Sequence, residues 1–419
     1  MGNKTVRFFL TCCLVFVILL SIAGMISAAG KKLTVWSILE PNENLEFNRI
    51  AKEYTRKTGV EVEIIAQNQF TTRENFMADA PAGKGPDHLD DHPAQQNDTG
   101  TYAISEMIRP LMITDTMKKS YYDLAFNSFI YGGKTYGIGY SVESYGLVYN
   151  KKLVKKAPET WEEMFTMAEK LTVRDKKKRI TTYGFLVDPK NFYFTFPFFS
   201  AYGGYVFGRD EQGNFNTDDI GLANEGSVKA LTKIMELVNK GLIPRDVDDN
   251  IINDLFENGQ LAMMIYGPWY FSNYRASGVD LGYEPIPRVK DGNPTRPFGT
   301  ILGFMLSSFS KQPQEAEKFL DYLLQDEIQQ RLIESYEGQR VPLNKSVSQS
   351  DFFQKNSFLK NTLDVNYQAE PYPNIPEGAI LWDVIPFTMD LLLNGDLSVE
   401  KTLIELEMVM RENIKAMRE

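Results

Sequence analysis

Along the first third of the chain, the spacing of apolar residues switches several times between that of a strand and that of a helix. Lys32 to Trp36 alternates as a strand does, and Val60 to Ile65 forms a second β-prone run. Between them, apolar residues recur at the spacing of an amphipathic helix, at Phe47, Ile50, Ala51 and Tyr54. Glu74 to Ala80 again has a helical pattern. This β-α-β-α alternation predicts a parallel sheet covered by helices.

The stretch from Tyr131 to Leu153 contains two strand-like runs, Tyr136 to Val142 and Tyr145 to Tyr149, with no helix or turn between them. Such a join predicts a chain that passes from one sheet to another. Glu143 lies in that passage, and a carboxylate there is costly to bury without a partner. Glu143 is therefore either a turn residue that faces solvent or an acceptor in a cleft between two lobes.

The remainder of the chain alternates predicted helices with predicted strands. The helices are 158–170, 227–240, 313–334 with a break near Gln325, 379–393 and 398–417. The strands are 183–187, 261–265, 281–286 and 301–306. Asn191 to Ser200 is the most aromatic stretch, and Pro197 argues against a long strand there. Its phenylalanines belong to the core, or some of their rings are presented at a surface.

The N-terminal residues have the pattern of a targeting segment. Lys4 and Arg7 precede an uncharged run from Phe8 to Gly30, with small residues near Ala28. We interpret residues 1–29 as a signal peptide, although the uncharged run is long enough to act as an uncleaved anchor. Either interpretation places the body of the protein outside the cytoplasm. Both cysteines lie in this segment, so the mature chain forms no disulfide.

Charge and motifs exclude several classes of function. The net charge of −10 disfavours nucleic acid as a partner. The chain contains no P-loop, dinucleotide fingerprint, nucleophile elbow or zincin motif. His88 to His92, sequence HLDDH, has metal-like spacing, but Pro93 and Gly85-Pro86 flank it and predict a loop at a strand end. We predict no catalytic residue, no metal and no cofactor, although sequence alone leaves paired carboxylates for glycoside hydrolysis open.

Aromatic residues at predicted strand ends and helix starts suggest a ligand instead. They are Tyr193, Trp269 and Trp382, and acids and amides occur in the loops among them. The CH face of a sugar ring stacks on an aromatic ring, while its hydroxyls bond to carboxylates and amides. This combination favours a sugar-binding cleft.

Seven motifs, taken in order, resemble the extracellular sugar-binding proteins of ABC importers, specifically the maltodextrin-binding branch. They are KLTVWS, AGKGPD, GKTYGIGYSVESYGLVYNKKL followed by KAPETWEEM, YFTFPFFSAYGGYVF, GPW, RPFGTILGF and PNIPEGAILW. Each short motif is weak by itself, but the order and spacing cover nearly the entire mature chain.

The resemblance implies an α/β, two-lobed periplasmic-binding-protein fold with a hinge that the chain crosses three times. The N-terminal lobe would comprise 30–141 and 298–345, and the C-terminal lobe 146–297 and 350–419. The crossings would fall at Ser141 to Gly146, near Arg296 to Leu302, and near Val341 to Ser350. Hinge closure would clamp the ligand between the lobes.

The family's binding positions transfer to this chain residue by residue. Glu143 matches a hinge acid that bonds sugar hydroxyls, and Glu74 matches a cleft acid. Tyr193, Trp269 and Trp382 match three aromatic residues that stack on successive sugar rings. Asn191 stands where the family example has a glutamate.

The polar residues of the first lobe depart from the family. Asp91 replaces a tryptophan, and an Asp-Arg pair falls on Ala94-Gln95 or, with a gap, on Asn97-Asp98. Glu40-Pro41 replaces an Asp-Lys pair. The resemblance thus implies an oligosaccharide of similar shape, with different hydroxyl stereochemistry or linkage.

The sequence therefore predicts a monomeric substrate-binding protein that delivers an oligosaccharide to the transmembrane subunits of an ABC importer. Maltodextrin, cyclodextrin and galacto-oligosaccharide are the candidate ligands. One alternative is an extracytoplasmic carbohydrate-active or metal-dependent enzyme that uses His88, Asp90, Asp91 and His92. The other is a binding module of the same fold whose ligand is not a sugar.

Overall fold

The computed structural model describes residues 31–39, 41–69, 71–91, 98–210, 214–290, 294–336 and 340–418, with Pro41, Asn42 and Asp98 described by their backbone alone. The predicted signal segment lies outside these ranges, as do Glu40, His92 and Asn97. Within them, no helix combines the length and the apolar character needed to cross a bilayer.

The described residues form sixteen strands and seventeen α-helices. Strands β1 to β8 are Lys32–Ser37, Glu61–Ala66, His88–Asp91, Ile130–Tyr131, Lys134–Thr135, Gly137–Glu143, Gly146–Asn150 and Val173–Arg174. Strands β9 to β16 are Ile180–Thr182, Phe207–Arg209, Phe215–Ile220, Met263–Tyr266, Leu281–Glu284, Phe298–Leu306, Val341–Pro342 and Glu370–Pro371. Helices α1 to α8 are Pro41–Thr58, Thr72–Asp79, Asp98–Ile104, Asp115–Ser120, Leu124–Asn127, Trp161–Leu171, Phe192–Tyr202 and Glu225–Asn239. Helices α9 to α17 are Asp249–Glu257, Phe271–Ala276, Pro313–Leu323, Asp326–Glu334, Lys345–Ser348, Asp351–Gln354, Ser357–Asn366, Ile380–Asn394 and Val399–Arg418.

The larger sheet is mixed. Its strands run in the order β15–β6–β14–β3–β1–β2, and β16 pairs with β14. β1 is parallel to both β2 and β3, which confirms the parallel arrangement predicted for this part of the chain. β14 is antiparallel to β3 and β6, because it returns from much later in the sequence to lie between them. The HLDDH motif was wrongly predicted as a loop, since His88–Asp91 is strand β3.

A second sheet, in the order β12–β7–β13, is antiparallel throughout. The strand predicted at 183–187 contributes only single bridges to this region, from Tyr183 to Leu261 and from Leu186 to Met264. Helix α7 covers part of this core, and Phe194, Phe196, Phe198 and Phe199 on it are all buried. These four phenylalanines therefore build the core, whereas Tyr193 of the same stretch is half-buried.

Two hydrophobic clusters form separate cores. The first contains side chains of β1, β3, β6 and β14. The first residue along the chain to pack in the second is Tyr145. The chain returns to the first cluster between Phe298 and Ile301. The segment from Val341 to Ser350 was predicted as the third crossing, but Val341 packs in the first cluster because β15 pairs with β6.

The change of cluster in the C-terminal part falls within helix α15. Phe353, Leu359 and Leu363 pack in the first cluster, whereas Val365 packs in the second. The range 350–419, predicted to lie wholly in the second lobe, is thus divided between the two cores.

The core of the first lobe gives a test of stability. Phe304 is fully buried and stacks on Tyr140 with ring centroids 4.7 Å apart. Phe304→Ala should lower the free energy of unfolding by about 3–5 kcal/mol, because it removes buried area and leaves a cavity. Urea denaturation measures this loss. Phe309→Ala is the matched control, since Phe309 is 40% exposed, and it should cost less than about 0.5 kcal/mol. Equal losses in the two variants would contradict this account of the core.

Candidate ligand-binding site

Six aromatic rings form a continuous series, which we call the aromatic row. Its successive centroid distances are 5.1, 4.9, 6.2, 5.3 and 6.3 Å in the order Trp382, Tyr372, Phe298, Tyr193, Phe194, Trp269. Tyr372, Phe298 and Phe194 are buried, Tyr193 and Trp269 are half-buried, and Trp382 is 36% exposed. The three aromatic residues singled out in the sequence are therefore the accessible members of the row, and each is backed by a buried ring.

Local structure fixes each accessible ring at the start of a helical element. Trp269 lies in a 3₁₀ turn, Pro268–Tyr270, directly after strand β12. A Cβ atom added to Gly267 would lie 1.8 Å from the Trp269 ring, so only glycine allows the indole to lie against the backbone there. Trp382 occupies the first turn of α16, and Tyr193 the first turn of α7.

Asn191 acts first as the N-cap of α7. Its Oδ1 accepts a hydrogen bond of 3.1 Å from the Tyr193 N–H, and its Nδ2 donates to Asp249 Oδ2 at 2.8 Å. Burial, helped by the nearby Asp188, raises the pKa of Asp249 to about 6. Asn191 therefore orients the Tyr193 backbone. It also shares with Trp382 an open groove of about 360 Å³, whose lining includes Asp188 and Lys190.

Glu143 ends strand β6, where it pairs in register with Thr300 of β14. Its side chain is 20% exposed, and its Oε2 lies 3.5 Å from Arg340 Nη1. Tyr193 Oη lies 3.5 Å from Thr300 Oγ1, which joins the aromatic row to the strand pair that carries Glu143. The interpretation of Glu143 as a solvent-facing turn residue is therefore wrong. It is a largely buried carboxylate at the passage between the two cores.

The polar residues of the first lobe that were predicted to bind the ligand differ in their exposure to solvent. Glu74 is exposed in the first turn of α2, and its Oε1 lies 3.1 Å from Arg73 Nη2. Asp91 is only 3% exposed and opposes Gly303 in the β3–β14 pair. Asp98 begins helix α3 and is described by its backbone alone. Glu40 and Asn97 lie outside the described residues.

His88 is a core residue. It is fully buried, packs edge-on against Phe319, and its Nε2 lies 2.6 Å from the Ala316 carbonyl oxygen, to which it donates. Burial lowers the pKa of His88 to about 4. Among the residues that the structure describes, no group of three or more His, Cys, Asp or Glu side chains could hold a metal ion. The metal alternative also relied on His92, which is not described.

Asp90 is a buried acid in the same strand, β3. Its oxygens accept hydrogen bonds from Ser37 Oγ at 2.9 Å and from Tyr140 Oη at 3.1 Å. Burial raises the pKa of Asp90 to about 7 even though both hydrogen bonds favour the charged form. The ionised carboxylate is consequently held at a cost to stability near neutral pH.

Sequence reasoning missed four residues that shape the site. Tyr372 backs Trp382, Thr300 joins Tyr193 to β14, Tyr145 supports α7, and Arg340 pairs with Glu143. The tyrosine before the PNIP motif could have been noticed as an aromatic near Trp382. Arg340 carries no local signal, because its partners come from distant elements.

Two α/β units joined by paired strands, with accessible aromatic faces and a carboxylate at the join, define a two-lobed ligand-binding protein. The sequence comparisons identify its family. A family model described as bacterial extracellular solute-binding protein matches residues 49–361, and the chain belongs to that family.

Relatives of similar length share over a quarter of their residues with this chain. A galactooligosaccharide-binding protein of Bacillus subtilis (strain 168) is 28% identical, with 93% of this chain and 91% of that protein covered. The maltodextrin-binding protein MdxE of the same strain is 29% identical, with 93% and 92% covered. A crystal structure of a cyclo/maltodextrin-binding protein complexed with maltotetraose matches with a TM-score of 0.84 and 27% identity, covering 93% of this chain and 98% of that one.

The buried Asp90 predicts a pH-dependent stability. Between its ordinary pKa of 3.8 and the folded value of about 7, the folded state binds a proton that the unfolded state lacks, so stability falls as pH rises through this range. Asp90→Asn removes the buried charge. The melting temperature of this variant relative to wild type should therefore increase from pH 5 to pH 8, as measured by differential scanning fluorimetry. Asp254→Asn, at an exposed acid, is the control and should show no such trend. A difference for Asp90→Asn that is independent of pH would contradict the assignment.

Proposed function

We propose that this protein captures a neutral oligosaccharide between its lobes and delivers it to the membrane subunits of an ABC importer. The observation that carries the proposal is the placement of three accessible aromatic rings, Tyr193, Trp269 and Trp382, in one row that contacts Thr300, the strand partner of Glu143. Aromatic faces bind the apolar faces of sugar rings, and a carboxylate accepts hydrogen bonds from sugar hydroxyls.

Two classes of oligosaccharide have support from the relatives. One relative is named for galactooligosaccharide and another for maltodextrin, at nearly equal identity. Solved structures of similar proteins contain maltotetraose, maltose or maltotriose. The aromatic row supports a linear chain of sugar rings in either class. We assign the choice of hydroxyl stereochemistry to the polar residues of the first lobe, Glu40, Glu74, Asp91, Asn97 and Asp98, together with Asn191 in the second.

The setting of the proposed function follows from the family and the leader sequence. Members are extracellular solute-binding proteins, and the leader pattern before Gly30 supports export of this chain. We propose that the protein acts as a monomer outside the cytoplasm and binds its sugar without chemical change. The importer's membrane subunits are its proposed protein partner.

A fluorescence titration of the mature protein tests the ligand class. Maltotriose, a cyclodextrin, galacto-oligosaccharides and isomalto-oligosaccharides are added separately while tryptophan emission is recorded. We expect a saturable change with one of these classes, because Trp269 and Trp382 are accessible members of the row. A flat response to every sugar, repeated by calorimetry, would overturn the proposed function.

Removing one stacking ring tests the row directly. Trp382→Ala should weaken binding of the preferred sugar by more than about ten-fold, since aromatic stacking is worth about 1–3 kcal/mol in base-stacking systems and ten-fold corresponds to about 1.4 kcal/mol. Calorimetry measures the change in Kd. Phe387→Ala is the matched control on the same helix, because Phe387 is 68% exposed and outside the groove, and its effect should stay below about two-fold. An unchanged affinity in Trp382→Ala would remove this ring from the site.

A further inference from the structure

Arg340 lies where helix α1, strand β6 and strand β15 meet, beside the proposed ligand site. The residue immediately precedes strand β15, and its side chain is 8% exposed. Nε donates to Glu43 Oε1 at 3.0 Å, Nη2 donates to Glu43 Oε2 at 3.4 Å, and Nη1 lies 3.5 Å from Glu143 Oε2. The Tyr336 ring covers the guanidinium face at 4.2 Å. The cation is therefore held in one plane and one orientation.

The two carboxylates around Arg340 differ in their access to solvent. The Glu43 side chain is 3% exposed, whereas that of Glu143 is 20% exposed. Glu143 is thus the member of the triad that can meet a ligand, while Glu43 holds the guanidinium from the protein side. Thr300 pairs in register with Glu143, and its Oγ1 lies 3.5 Å from the hydroxyl of Tyr193, so Glu143 lies on the strand pair that contacts the aromatic row.

We propose that Arg340 is a positioning residue, which holds the Glu143 carboxylate in the orientation that accepts hydrogen bonds from the hydroxyls of a sugar on the aromatic row. This inference rests on the proposed function of the same site. It also adds a specificity: two glutamates around one arginine leave a net negative charge. Ligand groups that meet Glu143 must then be donors, and oligosaccharides with a carboxylate on the ring nearest Glu143 are rejected.

A double-mutant cycle tests whether Arg340 acts through Glu143. The probe is maltotriose, or galacto-oligosaccharide where that binds more tightly, and Kd is measured by calorimetry. We expect Glu143→Gln to weaken binding at least ten-fold, Arg340→Met to weaken it about five- to twenty-fold, and the double variant to bind within two-fold of Glu143→Gln alone. Arg340→Lys should retain part of the affinity. Losses that multiply in the double variant, or an unchanged Kd in Glu143→Gln, would overturn the proposal.

The design separates this inference from stability and from the proposed function. Because Arg340→Met leaves Glu43 buried without its cation, the cycle is repeated in a Glu43→Gln background, where the same non-additive pattern is expected. Arg331→Met is the control: Arg331 also bridges two glutamates, Glu46 and Glu53, and should lower the melting temperature while leaving Kd within two-fold. Failure of the wild-type protein to bind any sugar would reject the proposed function. If the wild-type protein binds, but the losses in affinity of the two single variants multiply in the double variant, only the role of Arg340 is rejected.

Discussion

The hydroxyl of Tyr145 completes the backbone hydrogen bonding of helix α7 and of strand β14. Pro197 inside helix α7 has no N–H to donate to the Tyr193 carbonyl four residues earlier, and the Tyr145 hydroxyl donates to that carbonyl instead. The same hydroxyl accepts a hydrogen bond of 3.1 Å from the N–H of Phe298. An unsatisfied buried backbone group costs about 1–3 kcal/mol, so one fully buried phenol links helix α7 to the first two passages of the chain between the cores.

The strands next to this hydroxyl keep the two lobes in register. Glu143 pairs with Thr300, so the first two passages between the cores are paired with each other. Beside them, Val142 pairs with Val341 and Phe298 with Glu370. In hinged binding proteins, a small set of such connecting segments bends when the lobes close on a ligand.

Sequence predicted the elements whose apolar period is regular and missed those that tertiary contacts determine. The strand at Lys32, the helix around Phe47 and the break near Gln325 all follow local rules, and the structure confirms them. Strand β3 was missed because polar HLDD is buried on both faces, and helix α7 because Pro197 is tolerated only with the help of Tyr145. In the candidate site, the aromatic residues were predictable from their positions at element starts. The pairing of Arg340 with Glu43, 297 residues away in sequence, depends on the folded chain.

The second lobe contributes mainly aromatic side chains and the first lobe mainly charged ones, and burying these charges costs stability. The second lobe provides the aromatic row, whose burial stabilises the fold by itself. The first lobe buries three acids, Asp90, Asp91 and Glu43, and burial raises the pKa of Asp90. Apolar residues would pack there with less penalty. The proposed positioning of Glu143 explains why charged residues are kept there, because a carboxylate already held by the protein loses less freedom when it binds a hydroxyl. In that proposal Glu43 and Arg340 do not contact the ligand but orient Glu143, whose side chain is 20% exposed.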